Sequence, residues 1–402
     1  MKTTIAALTR SVAASRPIIA AGPLLLALAA TPLLLASACP SAAAAPMSAA
    51  GGYDIGALLA EAEREFELAR QDAVILLEDH DIVIAADGAR ETTVHRIVWM
   101  STELALESYA DLRVPHRSDR SRLEVHTLRT WREGRWWPDS VAINPTAVVE
   151  TLPGSVSRAD EYTALRETML LHDGVELPCI VETRYTIRAN PPVAPDSARG
   201  ETRKAGRSTF AHDGLWRFAQ ADPVVSTTLR ITAPDGSDVW SVTCNGAPEP
   251  DTADSRPVDG GRMRVWHMKN VARIPQPTPA DPLSVTPHVV WSCWPSWETL
   301  GQVYRAAFDG AARIGCESSG RILCDSLAAA LAREPSARTR AQAVSEFVGK
   351  WTRPVSVDDG FWSLEPRSAL RTWQTAYGHA YDRAVLAAAL FRRAGLRAEP
   401  LL

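Results

Sequence analysis

Residues 72–274 form a long succession of short runs in which the hydrophobic pattern moves toward a period of two. The runs AVILLEDHDIVIAADG, ETTVHRIVWM and RLEVHTLRTW are typical of it, and Asp-Gly, Pro-Gly and Pro-Asp-Gly turns separate such runs. Strands with one buried face produce this period, and these turn residues join neighbouring strands. The stretch therefore predicts an antiparallel β-sandwich region. A softer boundary is predicted near 191–206, where prolines, glycine and charges replace the alternation.

Helical periodicity flanks these strands. Residues 55–71 place apolar side chains at helical spacing among acids and arginines, which predicts a short amphipathic N-terminal helix. The Pro-rich stretch 275–295 is predicted to be a linker. Beyond it the pattern predicts helices that begin after Ser296, at about 318–333, at 337–351, and from Asp382 to Arg393. The fold class predicted for the whole chain is therefore α+β.

The N-terminus has the charge order of an export signal. Lys2, Arg10 and Arg16 precede an apolar run from Pro17 to Ala38 that contains no acidic residue. Small residues follow, so residues 1–45 are predicted to be a cleaved signal segment. Cys39 directly follows a Leu-Ala-Ser-Ala sequence, which resembles the lipobox of bacterial lipoproteins and would make this cysteine a lipidation site. The alternative is a cysteine inside an ordinary signal region.

Composition excludes several classes of function. A hydrophobic content of 46% and a net charge of -4 are typical of a globular protein. A nucleic-acid-binding surface needs clustered basic charge, so no nucleic-acid partner is expected. Apart from the signal segment, no apolar stretch is long enough to span a bilayer, so membrane contact is expected only through that segment or through lipid on Cys39.

No cofactor or metal is expected from the motifs. The nine histidines are scattered without metal-ligand spacing, and phosphate-loop and dinucleotide motifs are absent. Besides Cys39, the cysteines are spaced unlike a zinc site, and both disulfides and buried free thiols stay open for them: Cys179, Cys244, Cys293, Cys316 and Cys324.

Tryptophan is abundant, with 13 residues that include Trp136-Trp137 and the group Trp291, Trp294 and Trp297. Exposed aromatic groups of this kind can bind sugar or peptidoglycan. Aromatic residues also dominate buried contacts, so packing in the core and the linker is the favoured interpretation.

The C-terminal stretch LRTWQTAYGHAYDRAVLAAALFRRAGLRAEPLL, from Leu370 onward, carries the most specific motif in the sequence. It resembles the catalytic-cysteine segment of transglutaminase-like proteins, in which an aromatic residue and Gly-Asp-Cys-Lys-Asp precede a helix and a strand. Tyr377, Gly378 and Asp382 are in register with that pattern. His379 replaces the family's aspartate, Ala380 its cysteine and Tyr381 its lysine.

Three further segments extend this resemblance. SWETLGQVYRAAF from Ser296 is similar to the helix that precedes such domains, and AQAVSEFVGKWTRP from Ala341 is similar to the helix that packs against the cysteine helix. The β-rich region from Asp72 to about Ile187 resembles a domain of unknown function that precedes transglutaminase-like domains in envelope proteins of Gram-negative bacteria. The resemblance thus implies that residues 296–402 are the helical first half of a transglutaminase-like domain.

The resemblance also implies what the substitution at Ala380 removes. In this family the cysteine lies at a helix N-terminus, its pKa is lowered by the helix dipole and a histidine, and it attacks a glutamine or peptide carbonyl. A methyl group cannot do this. The family's histidine and its orienting aspartate lie on downstream strands, whereas the 22 residues after Ala380 contain no histidine and a single aspartate, Asp382, on the same helix. The domain is therefore expected to be degenerate or truncated and to have no catalytic residue.

The sequence leads to one favoured hypothesis and two alternatives. The favoured one is a transglutaminase-like pseudoenzyme, exported to the periplasm or cell envelope of a Gram-negative-type bacterium, with a non-catalytic role in binding or scaffolding. Its expected partner is another envelope protein or a cell-wall polymer. One alternative is a fragment of a larger transglutaminase-like acyltransferase or cysteine protease. The other is a lipid-anchored accessory protein of the cell envelope.

Overall fold

The structure is a computed structural model. It describes residues 53–138, 142–191, 212–252, 255–258, 261–275, 281–313, 325–326, 329–357 and 366–399, all within one compact unit that begins at Tyr53. The predicted signal segment with Cys39 lies outside these residues, as do Cys316, Cys324 and most of the helix predicted at 318–333.

Sixteen strands are present in the described part of the chain. In chain order they are β1 Ala73–Ile84, β2 Arg90–Met100, β3 Asp111–Arg117, β4 Ser121–Arg132, β5 Arg135–Trp137, β6 Val148–Thr151, β7 Leu165–Leu171, β8 Cys179–Ala189, β9 Asp213–Arg217, β10 Val224–Pro234, β11 Trp240–Cys244, β12 Pro257–Val258, β13 Gly261–Val271, β14 His288–Ser292, β15 Arg353–Pro354 and β16 Tyr377–Gly378.

An eight-stranded sheet organises the N-terminal region, with the strand order β12-β13-β10-β1-β2-β8-β4-β5. The pairing of β1 with β10 is parallel, so the prediction of a wholly antiparallel arrangement was wrong at this position. Strands from both sides of the predicted boundary near 191–206 belong to this one sheet. That boundary therefore does not separate two β subdomains.

Two three-stranded sheets, β11-β14-β9 and β3-β7-β6, contribute to hydrophobic clusters shared with the large sheet. The central strand β14 lies inside the stretch predicted to be linker, and that prediction was wrong for residues 288–292. Its Val289 and Trp291 side chains are buried, which explains why so short a segment is a strand. Trp291 also explains Gly214 on β9, because a Cβ atom there would lie 2.8 Å from the indole Nε1.

The first helix, α1 Ile55–Phe66, lies on the other face of the large sheet. Asp54 caps it by accepting a hydrogen bond from the Ala57 amide, and a 3-10 turn at Leu68–Arg70 leads into β1. Ile55, Ala62 and Leu68 bury their side chains against the sheet in one cluster with strand residues such as Val74 and Ile97. The predicted helix at 55–71 is therefore confirmed, with its last residues in the 3-10 turn and the connection to β1.

Five further helices complete the described elements: α2 Glu103–Tyr109, α3 Trp297–Ala312, α4 Ala337–Trp351, α5 Ala369–Thr375 and α6 Ala380–Arg393. The last four form the C-terminal region around a buried core of Phe308, Val344, Val348, Leu386 and Leu390. Serine side chains cap three of these helices, at Ser296, Ser336 and Ser368. The chain thus combines sheets and helices, as the α+β prediction required.

The three cysteines in the described residues, Cys179, Cys244 and Cys293, carry free thiols. Within the same part of the chain no helix is both long and apolar enough to cross a membrane.

Candidate functional site

The residues that resemble the transglutaminase-like motif lie at the start of α6. Ala380 is the first residue of the helix and is exposed, and His379 precedes it as the N-cap. The Nδ1 atom of His379 accepts a hydrogen bond of 3.4 Å from the Tyr381 amide. The helix predicted from the sequence is confirmed, and it begins two residues earlier than Asp382. The side chain at position 380 therefore points to solvent at the N-terminus of a 14-residue helix.

A short parallel ladder holds the residues before the helix. Tyr377 and Gly378 in β16 pair with Arg353 and Pro354 in β15, and the Val355 amide donates to the Gly378 carbonyl oxygen at 3.0 Å. A Cβ atom at Gly378 would lie 3.0 Å from the Cβ atom of Asp382. The glycine therefore allows the close approach of this strand to the first turn of α6.

Asp382 is completely buried in that first turn. One carboxylate oxygen accepts a hydrogen bond from the hydroxyl of Tyr162, and the other accepts one of 2.8 Å from the Arg367 amide. The Arg367 guanidinium lies 3.9 Å from the first oxygen. Both oxygens are thus occupied by structural partners, which stabilise a charge at the positive end of the helix.

Tyr162 comes from the N-terminal region, in a 3-10 turn between β6 and β7. Its hydroxyl oxygen also accepts a 2.7 Å hydrogen bond from the His379 amide. Burial raises the pKa of Tyr162, and the charge of Asp382 raises it further. The phenol therefore stays protonated and acts as a donor to Asp382 over the ordinary pH range.

Further contacts surround this hydroxyl, and they all involve residues 154–165, called here the docking segment. The Arg371 guanidinium donates to the Glu161 carboxylate at 2.8 Å, and the Tyr377 hydroxyl accepts from the Glu161 amide at 3.1 Å. An apolar cluster joins the docking segment to the residues after α4, and its buried members are Val156, Ala159, Tyr162, Leu165 and Val355. The docking segment is therefore fixed against the motif by polar and apolar contacts together.

The chemistry available at this position is limited. Ala380 offers a methyl group where the resemblance places a nucleophile. His379 is buried and caps the helix, and Tyr381 packs edge-on against Phe308 with ring centroids 6.0 Å apart. Among the described residues, no three His, Cys, Asp or Glu side chains gather as a metal site.

Sequence reasoning missed the partners of the motif: Glu161, Tyr162, Arg367 and Arg371. Tyr162 and Asp382 are 220 positions apart, and a tyrosine in the run Asp-Glu-Tyr carries no pattern that predicts a contact. The sequence indicated no role for the two arginines, although Arg371 lies within the stretch quoted from Leu370. The burial of Asp382, which only the structure shows, is what requires hydrogen-bond donors around it.

The tryptophan groups are divided between core and surface. Trp291 and Trp294 are buried, whereas Trp297 is 87% exposed. Trp136 and Trp137 stack with arginine side chains, and the Arg129 guanidinium lies 3.9 Å from the centroid of Trp136. Packing thus accounts for four of these five residues.

Comparison with known proteins finds a family match to part of the chain and a structural match that covers most of it. Residues 86–275 match the model of a domain of unknown function with a solved structure, DUF3857. A crystal structure from Parabacteroides distasonis, described as a "putative protease", matches with a TM-score of 0.67 and 20% identity over 81% of this chain and 59% of that one. The chain thus spans little more than half the length of that structure.

Two other comparisons add nothing to the family match and the structural match. A two-domain M1 zinc metallopeptidase matches with a TM-score of 0.23 and 12% identity, over 55% of this chain and 42% of that one, which is too low to compare folds. No curated protein matches the sequence significantly. Residues 86–275 therefore match the DUF3857 model, and the chain shares its fold with the solved structure from Parabacteroides distasonis.

Proposed function

We propose that this chain is an exported cell-envelope protein with a non-catalytic binding or scaffolding role, and that its C-terminal region is a transglutaminase-like pseudoenzyme. The observation that carries the proposal is Ala380 at the exposed first position of α6. A helix N-terminus lowers the pKa of a cysteine and prepares it for nucleophilic attack, but it gives an alanine no reactivity.

The contacts on both sides of Ala380 support this proposal. The His379 amide and the Asp382 carboxylate are bonded to the Tyr162 hydroxyl, so they hold the docking segment in place. This use of the motif is structural. It joins the DUF3857 domain to the helices and would present both as one rigid surface to a partner. The partner class that fits an envelope location is another envelope protein or a cell-wall polymer.

Two observations bear on the alternatives. This chain covers 59% of the solved structure of similar fold, which is described as a "putative protease", and this favours a fragment of a larger transglutaminase-like enzyme as the second candidate. Ala380 would prevent cysteine-based acyl transfer in that case as well. Lipid attachment at Cys39 would make the protein an anchored accessory of the envelope instead.

Assays of activity and binding together test the proposal. The purified chain is expected to release no ammonia from a glutamine peptide plus a primary amine above a buffer blank. In the native host, crosslinking in intact cells is expected to join it to an envelope protein, or the chain is expected to co-sediment with purified cell-wall sacculi. Ammonia release by the wild type would refute the proposal of a pseudoenzyme. The absence of both a crosslink and co-sedimentation would refute the binding role.

Export has its own test. Mass spectrometry of the protein from its native host is expected to find a new N-terminus after the apolar run that ends at Ala38, with lipid on Cys39 if the anchored alternative is right. An intact Met1 in the soluble cytoplasm would refute export.

A further inference from the structure

A row of polar side chains crosses the large sheet on the face that carries α1. Cross-strand pairing places these residues side by side on β4, β8, β2, β1, β10 and β13: Thr127, Arg184, His95, Asp79, Thr228 and His267. Apolar residues fill the same face next to α1. The centre of the polar row is nonetheless buried, since Asp79 is 4% exposed and His95 is 7% exposed. A buried polar row in the middle of a sheet needs an explanation.

Most polar groups at this place have partners. The Tyr53 hydroxyl donates to Asp79 at 3.1 Å, and the Arg230 guanidinium lies 3.6 Å from the same carboxylate oxygen. His95 is 2.8 Å from the Glu182 carboxylate, and Thr93 bonds to Thr186 at 2.9 Å. These groups therefore form a fixed polar floor, in which the second carboxylate oxygen of Asp79 is buried without a hydrogen-bond partner among the described residues.

Two charged residues beside this floor have no such partner within the described part of the chain. Asp81 follows Asp79 on the same face of β1 and makes no hydrogen bond or ion pair with a described residue, although Arg230 and Arg184 are close enough to affect it. Arg184 likewise makes none, and its Nε atom is buried without an acceptor. A half-buried charge without a partner is costly, and arginine cannot become neutral to avoid the cost.

The two unpaired charges lie on opposite sides of β2. Asp81 is paired with Thr93, and Arg184 is paired with His95, so Thr93 and His95 lie between them. Their backbones are separated by two strand spacings and by two residues along the strands, roughly 12 Å in all. The Arg230 guanidinium lies nearest to Asp79 and its charge also acts on Asp81, so two carboxylates on β1 share this guanidinium. Arg184 on β8 has no ion-pair partner among the described residues.

We propose that Asp81 and Arg184 bind the two ends of a small zwitterion of the amino-acid type, with its ammonium group at Asp81 and its carboxylate at Arg184. Arginine is suited to carboxylates because its planar guanidinium donates two parallel hydrogen bonds. Burial raises the pKa of Asp81 against the opposing charge of Arg230, and a bound ammonium group would favour the ionised carboxylate. The site lies in the β region and is independent of the chemistry at position 380.

Isothermal titration calorimetry on the full chain tests this site without any mutation. The probes are glycine, β-alanine and 4-aminobutyrate, which differ in the distance between their charges, together with N-acetylglycine and glycinamide, which each keep one charge. At least one zwitterion is expected to bind, and both singly charged analogues are expected to bind at least about tenfold more weakly. No binding by any zwitterion, or equal binding by an analogue, would overturn the proposal.

Variants then assign the two ends. Asp81→Asn and Arg184→Gln are each expected to weaken binding of the zwitterion at least about tenfold. The matched controls Asp87→Asn, in an exposed turn, and Arg188→Gln, four residues further along β8 and paired with Glu91 and Glu124, are expected to leave it unchanged. Equal effects of the site and control variants would place the zwitterion elsewhere and refute the site.

Discussion

The Tyr162 hydroxyl donates a hydrogen bond to the Asp382 carboxylate across 220 positions of the chain. Asp382 is completely buried, and Tyr162 is 4% exposed. This contact lies two residues from Ala380 and joins the region that matches the DUF3857 model to the first turn of α6. The first turn of α6 is therefore part of the connection between the two regions.

Removal of the Tyr162 hydroxyl is expected to destabilise the protein. In Tyr162→Phe, the Asp382 carboxylate and the His379 amide each lose a buried partner, which should lower the free energy of unfolding by about 1–3 kcal/mol. Urea unfolding measures this difference. The control Tyr377→Phe removes a hydroxyl that accepts one bond from the exposed Glu161 amide and should cost at most about 1 kcal/mol. Equal losses of unfolding free energy in both variants would mean that the buried contact contributes no more stability than the exposed one.

Gly378 is expected to be intolerant of a methyl group. A Cβ atom there would lie 3.0 Å from the Asp382 Cβ atom and 3.1 Å from the Thr372 Cγ2 atom, so Gly378→Ala should cost about 1–3 kcal/mol through overpacking. Gly349 on α4 has no atom within 4 Å of its built Cβ position. Gly349→Ala should therefore raise helix stability by about 0.5–1 kcal/mol. Thermal unfolding of the two variants side by side checks the opposite signs.

Glu78 is expected to contribute stability that acid removes. Burial raises its pKa, but Arg96, whose Nη2 atom donates to it at 2.8 Å, and His80 outweigh burial and lower the pKa to about 2 from 4.5. The folded state therefore binds this proton less readily than the unfolded state. The stabilisation is complete above about pH 4.5 and is lost as the pH falls toward 2.

Glu78→Gln tests that dependence. It leaves the Arg96 charge buried without its counterion, so stability at pH 7 should fall by about 3–5 kcal/mol. Between pH 4.5 and 2 the variant should lose less stability than the wild type, as measured by urea unfolding at each pH. Glu346 forms an exposed ion pair with Lys350 on one helix, so the free energy of unfolding of Glu346→Gln should change with pH as it does in the wild type. A variant profile parallel to that of the wild type would show that Glu78 does not titrate in this range.

Local sequence signals predicted the helices well. Ser336 and Thr339 form a capping box, and the helix they begin covers residues 337–351 as the apolar spacing predicted. Gly395, just after α6, has a positive φ of 75°, which is the conformation that glycine commonly supplies at a helix C-terminus. These elements depend on neighbours within one or two turns, so the sequence contains the information that fixes them.

Contacts between distant segments were not predictable in the same way. The parallel pairing of β1 with β10 and the strand at His288–Ser292 depend on partners far along the chain. At the motif, the resemblance implied that position 380 stands at a helix N-terminus, but nothing in the sequence indicated Tyr162 as a partner. Hydrophobic period identifies a buried face, but it does not identify the partner that covers it.

The Ala380→Cys variant is expected to show no turnover in glutamine-amine transfer or peptide hydrolysis. The variant restores a thiol at a helix N-terminus, where its pKa should fall, but transfer also requires a base to take and return the proton. The adjacent His379 is buried, and its Nδ1 atom accepts a hydrogen bond from the Tyr381 amide as the helix cap. The His379 ring is buried, whereas Ala380 is exposed, so the ring does not lie on the solvent side of the helix start where the new thiol would stand.

The measurement is ammonia release from a glutamine peptide plus a primary amine, compared among the wild type, Ala380→Cys and a buffer blank. Ala380→Ser, which cannot form a thiolate, serves as the matched control for substitution at this position. Labelling of the new cysteine by iodoacetamide would show only that the thiol is accessible and partly ionised. Turnover by Ala380→Cys clearly above all three comparisons would mean that a base reaches position 380, and the pseudoenzyme would have to be reconsidered as an enzyme that lacks only its nucleophile.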